Sequence, residues 1–87
     1  MEIRYTDRAK NDIAFWKKTG NKKIQKKITE LLESIGQTPF EGIGKPELLK
    51  YQLSGAWSRR IDHEHRIIYD VQDDAVEILS LRGHYLK

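Results

Sequence analysis

The chain contains no cysteine in its 87 residues. That excludes disulfide scaffolds, thiolate zinc sites and cysteine nucleophiles. No apolar run approaches the roughly 20 residues that a membrane-spanning helix requires. The start of the chain lacks the basic-then-apolar layout of a secretory signal, so a cytoplasmic protein is expected. Neither Gly-x-x-x-x-Gly-Lys nor Gly-x-Gly-x-x-Gly occurs, and Gly42-x-Gly44-Lys45 is too short and opens no helix. Nucleotide cofactors are therefore not indicated. His63, His65 and His84 have no thiol or paired-carboxylate pattern beside them, so no metal is expected either. Ser54 and Ser58 lack a nucleophile-elbow context.

What is present is enough for one core. Hydrophobic residues make up 38% of the chain, and its length fits a single domain over residues 1–87. Net charge is only +3, but it is unevenly spread. Residues 1–27 carry nine Lys/Arg against three acids, a net +6, and residues 28–87 carry seven against ten, a net −3. A basic half fits a polyanionic partner such as nucleic acid; a solvated helical face has the same composition.

Glu2–Tyr5 alternates as a short edge strand. Thr6 or Asp7 can cap a helix reaching about Lys18, with Ala9, Ile13 and Trp16 on one face and Gly20-Asn21 ending it. A second helix is expected from about Lys22 to Ile35, with Ile24, Ile28, Leu31, Leu32 and Ile35 as its apolar stripe and Gly36 closing it. Lys22, Lys23, Lys26 and Lys27 lie at its start, where the helix dipole disfavours positive charge, so local stability does not account for them. Residues 37–47 form a long loop holding both prolines. Four strand-like segments follow, Leu48–Leu53, Ala56–Ile61, Arg66–Val71 and Ala75–Leu81. In the third, Ile67, Tyr69 and Val71 share a core face, while Arg66, Ile68 and Asp70 share the other. The order β-α-α-β-β-β-β predicts an α+β fold: a small antiparallel sheet with a mixed edge, two helices on one face and the other face free.

That free face can gather a polar group. Glu47 ends the loop between Lys45 and Lys50, Arg59 and Arg60 lie in the next segment, Arg66 begins another, Arg82 ends the last, and His84-Tyr85 follow. Strand alternation admits only one of Arg59 and Arg60 to the group. Trp57 and Tyr69 are expected in the core. A carboxylate, a histidine and guanidinium groups suit metal-free RNA cleavage. A base takes the proton of a ribose 2′-hydroxyl, which attacks its own 3′-phosphate; cations hold the charge on the pentacoordinate phosphorus; an acid protonates the leaving 5′-oxygen. Glutamate, at about 4.3 in model peptides, is available as base, and histidine, at about 6.5, as acid.

The runs Pro39-Phe40-Glu41-Gly42, Gly44-Lys45-Pro46-Glu47, Leu53-Ser54-Gly55, Trp57-Ser58-Arg59-Arg60-Ile61, His65-Arg66 with Tyr69, and His84-Tyr85 together resemble the YoeB group of the RelE/ParE toxin superfamily. The resemblance covers nearly the whole chain. It implies a toxin that cleaves mRNA in the ribosomal aminoacyl site. It makes Glu47 the base, His84 the acid, Arg66 the transition-state cation and Tyr85 a group that shapes the site. It implies substrate or ribosomal RNA contacts for Lys45, Lys50 and Arg59 or Arg60, and phosphate contacts for the helix lysines. It also implies a YefM/Phd-type antitoxin with an acidic, amphipathic C-terminal segment, and a homodimer. The superfamily also holds ParE-like toxins that bind DNA gyrase without cutting RNA, and these would not need an acid–base pair. A plain RNA-binding module is a third reading. The chain departs from the group's common pattern in Gly83 before the His-Tyr pair and Leu86-Lys87 after it.

Overall fold

The computed structural model describes residues 1–50 and 55–83. Its elements run β1 (Glu2–Tyr5), α1 (Asp7–Thr19), α2 (Lys22–Gln37), β2 (Glu47–Leu48), β3 (Trp57–Arg60), β4 (Arg66–Val71) and β5 (Ala75–Ser80). The sheet order is β1-β5-β4-β3-β2. Strands β2 to β5 pair antiparallel, and β1 closes the far edge parallel to β5. This is the expected α+β fold with its mixed edge.

Both helices begin on side-chain caps. Thr6 Oγ1 accepts from Ala9 N–H at 3.1 Å, and Asn21 Oδ1 accepts from Ile24 N–H at 3.1 Å. Helix α1 ends at Gly20, whose N–H returns to the Lys17 carbonyl. Helix α2 runs past its expected end: Gly36 lies inside it, and Thr38 is the C-terminal cap. Gly36 has a different use. A Cβ there would sit 3.3 Å from Ile3 Cδ1, and its carbonyl accepts from the Met1 ammonium at 3.1 Å. The glycine lets β1 approach the helix.

Ala9 and Trp16 from α1 and Ile28, Leu31 and Ile35 from α2 cover Ile67, Tyr69, Val76 and Ile78 of the sheet. These are the positions that the two periodicities assign inward. The opposite sheet face is not bare as expected. Leu49, Ala56 and Ile68 are buried there as a second apolar cluster, with Leu79 against it. The expected strand Leu48–Leu53 is only partly observed. Pairing covers Glu47 and Leu48, Leu49 N–H adds a bond to the Ala56 carbonyl, and residues 51–54 lie outside the described residues. Among the described residues no helix is long and apolar enough to cross a membrane.

Candidate active site

Register brings Glu47 opposite Ser58, Ser58 opposite Ile68, and Arg60 opposite Arg66. Alternation then places Glu47, Ser58, Arg60 and Arg66 on the face away from the helices. Across that face Arg66 Nη1 lies 3.5 Å from Glu47 Oε1 and 3.4 Å from Ser58 Oγ. The Glu47 side chain is 57% exposed and that of Arg66 15%. The carboxylate therefore meets solvent while the guanidinium is set back against the sheet. Ser58 is fully buried. Sequence reading passed over it as a failed nucleophile, yet period-two arithmetic through Trp57–Arg60 puts it on the same face as Arg60.

Arg59 and Arg60 separate as alternation requires, and Arg60 is the exposed one. Arg59 is not available for the RNA contact that the resemblance left open to it. Its side chain is 0% exposed on the helix side of the sheet. Nε donates to the Tyr69 hydroxyl at 3.0 Å, Nη1 to Ser34 Oγ and the Ile43 carbonyl, and Nη2 to the Thr38 and Glu41 carbonyls. Burial pushes the Tyr69 phenol up against the opposing pull of Arg59, so it stays a donor, to the Pro39 carbonyl at 2.7 Å. The long loop is thus wrapped around one guanidinium. Gly44 is necessary to that wrapping. Its φ is +84°, and a Cβ would fall 2.6 Å from Leu31 Cδ2 and 3.2 Å from Arg59 Cβ. Its carbonyl accepts from Arg60 N–H at 2.7 Å, which ties the loop directly before Lys45-Pro46-Glu47 to β3. Arg59 and the Arg60 amide therefore anchor the loop that leads to Glu47.

Lys45 and Lys50 are exposed on either side of Glu47. Trp57 is half-buried, with the exposed Phe40 against it at 5.1 Å between ring centroids, while Tyr69 is fully core. Arg82 does not join the group. Its guanidinium lies 3.6 Å from the Phe15 ring centroid, over α1. His84 and Tyr85 lie outside the described residues. Among the described residues no three His, Asp or Glu side chains gather at metal-ligand distances.

The helix lysines make a second electropositive region. Lys23, Lys26 and Lys27 line a cleft of about 580 Å³ with Asn21, Ile24, Glu30 and the turn Ile61–His63, and Lys22 is exposed beside them. No acid occupies the first turn of α2 to offset the dipole. The turn is rigidly built: Asp62 Oδ1 accepts from Glu64 and His65 N–H at 2.8 and 2.7 Å. It leads from Arg60 on β3 to Arg66 on β4, so the cleft adjoins the end of the sheet that carries the arginines.

Comparison with known proteins identifies the family and the fold. The family model described as YoeB-like toxin of bacterial type II toxin–antitoxin systems matches residues 5–85. Toxin YoeB of Escherichia coli K12 is 48% identical over 85 residues, covering 98% of this chain and 100% of that protein. A YoeB/ParE toxin from Agrobacterium tumefaciens superposes with a TM-score of 0.91 at 39% identity, covering 98% of this chain and 100% of that one. The Staphylococcus aureus YoeB of a heterotetrameric YoeB–YefM complex superposes with a TM-score of 0.84 at 45% identity, covering 98% of both chains. Sequence and fold thus converge, and the chain belongs to the YoeB-like toxin family of bacterial type II toxin–antitoxin systems.

Proposed function

We propose that this toxin is a ribosome-dependent mRNA endoribonuclease that cuts in the aminoacyl site by acid–base catalysis. The supporting observation is the 3.5 Å approach of the Glu47 carboxylate to the Arg66 guanidinium on the solvent side of the sheet. A ribose 2′-oxygen and its 3′-phosphorus belong to one nucleotide, so the base and the phosphate-binding cation must lie within a few ångströms of each other. Incoming phosphate takes over the guanidinium, which frees Glu47 to accept the 2′-hydroxyl proton. His84 then protonates the leaving 5′-oxygen and Tyr85 shapes the site around it, roles that come from the family resemblance. Lys45, Lys50 and Arg60 flank Glu47 and Arg66 and hold RNA phosphates; Lys22, Lys23, Lys26 and Lys27 hold ribosomal RNA. No cofactor takes part.

The toxin works in the cytoplasm and is neutralised by a YefM-type antitoxin, a reading supported by the staphylococcal YoeB–YefM complex. A homodimer is supported by the staphylococcal YoeB dimer, 45% identical with a TM-score of 0.85.

Primer extension on mRNA in a purified bacterial translation system tests the activity. The wild type is expected to cut at aminoacyl-site codons, and Glu47→Gln to leave the message intact. Absence of cuts on programmed ribosomes would reject the nuclease and move the search to gyrase binding.

A further inference from the structure

Gly83 is held at both of its backbone polar groups. Its N–H donates to His65 Nδ1 at 2.8 Å, and its carbonyl accepts from Arg66 N–H at 3.2 Å. The chain turns there through a φ of +80°, a conformation that side chains other than glycine's rarely adopt. The residue that follows is His84.

His65 is itself firmly seated. Its ring stands edge-on to Trp16 at 4.9 Å between centroids. Its N–H donates to Asp62 Oδ1, and its carbonyl accepts from Ile61 and Asp62 N–H. The Trp16 indole donates to the Leu81 carbonyl at 2.8 Å, and the buried Asp12 accepts from Leu81 N–H at 2.9 Å. Arg8 Nη2 also donates to the Arg82 carbonyl at 3.3 Å, so among the described residues the stretch leaving β5 is gripped by four side chains, three from α1 and one from the β3–β4 turn. To accept at Nδ1 the imidazole must carry its proton on Nε2, and Nε2 faces Glu64 Oε1 at 3.7 Å.

We propose that His65 is a positioning residue for the cleavage reaction. By accepting from the Gly83 amide it holds the backbone of the residue that directly precedes the proton donor His84 in the chain. The proposal rests on the reading of His84 as that donor. A misplaced acid slows the chemical step and leaves ribosome affinity alone.

Asparagine and glutamine at position 65 separate this role from packing. Both lose the ring against Trp16, but only asparagine can put an acceptor near the place of Nδ1. His65→Phe keeps the ring and removes the acceptor. Single-turnover cleavage of mRNA on programmed ribosomes is measured beside ribosome affinity and thermal melting. His65→Gln and His65→Phe are expected to cut about 10- to 100-fold more slowly at saturating ribosome, with unchanged affinity. His65→Asn is expected to stay within about threefold of wild type. Equal rates for the Asn and Gln variants would overturn the proposal, as would a loss that appears in affinity alone. If His65→Phe fails to fold, the Asn–Gln contrast still decides. His84→Gln serves as the control. If it cuts normally, the acid assignment fails and this proposal with it; if it is inactive while His65→Gln is not slowed, only the positioning role fails.

Discussion

Arg59 Nε donates to the Tyr69 hydroxyl at 3.0 Å, and that hydroxyl donates onward to the Pro39 carbonyl at 2.7 Å. Two neighbouring strands thereby hold the first residues of the loop that delivers Glu47. The other guanidinium nitrogens complete the arrangement through Ser34 and the carbonyls of Thr38, Glu41 and Ile43. A positive charge in a toxin's sheet invites assignment to RNA. Here its fixed, planar donor geometry serves the fold instead.

Arg59→Ala is expected to cost at least about 3 kcal/mol of stability, because each buried group left unpaired costs about 1–3 kcal/mol. Arg59→Lys keeps the charge but places three donors at one point, which cannot span acceptors on α2, the loop and β4. Its stability should fall between those of Arg59→Ala and wild type. Urea unfolding measures both, and hydrogen exchange at residues 38–44 should accelerate in each variant. Unchanged protection of that loop would show that it does not depend on the guanidinium.

The fold was legible because its signals are local. Capping residues, a five-member apolar stripe on α2 and alternation in β4 each depend on neighbours in sequence. The end of α2 was misread because Gly36 looks like a terminator, whereas its missing side chain makes room for Ile3, a contact between distant segments. The second apolar cluster under Leu49, Ala56 and Ile68 was hidden for the same kind of reason: it depends on how β2 joins β3. Within the site, alternation separated Arg59 from Arg60 correctly but could not say which one faced the helices. That required the register with Ile67. Ser58 was missed because its use, hydrogen bonding to Arg66, exists only across strands.

Asp62 gives the fold a pH dependence. Burial pushes its carboxyl up, but the N–H bonds from His65 and Glu64 outweigh that and hold it below the ordinary carboxylate range. A pKa lower in the folded than in the unfolded chain contributes stability above the unfolded value, and that contribution is lost as pH falls through the folded one. Urea midpoints are therefore expected to drop as pH is lowered from about 5 to about 2.5. Asp62→Asn can still accept from both amides but carries no charge, so its midpoints should fall less steeply over the same range. Equal slopes for the two proteins would remove Asp62 from the account.

Arg66→Lys probes the reacting face. Arg66 Nη1 reaches both Glu47 and Ser58, and a planar guanidinium can grip phosphate oxygens at two points. Lysine offers a point charge on a flexible stem and cannot reproduce a two-point grip on phosphate. Cleavage on programmed ribosomes is expected to fall by about 10²-fold or more, as when one charge-stabilising donor is removed elsewhere. Ribosome sedimentation should be unaltered, since the proposed function assigns most of that binding to the helix lysines. Loss of sedimentation in proportion to cleavage would make Arg66 a docking residue.

The basic cleft on α2 should control how salt acts on ribosome association. Phosphate contacts release counterions, so the logarithm of affinity falls linearly with the logarithm of salt, with a slope that counts the contacts. Lys23, Lys26 and Lys27 share one cleft, and each neutralised lysine should lower that slope by about one unit. A Lys23→Gln/Lys26→Gln double variant is therefore expected to bind more weakly at low salt, and the difference should shrink as salt rises. Glu47→Gln lies on the other sheet face and should leave the slope unchanged. A double variant with the wild-type slope would mean that these lysines face solvent in the complex, and the net +6 of residues 1–27 would then need another partner.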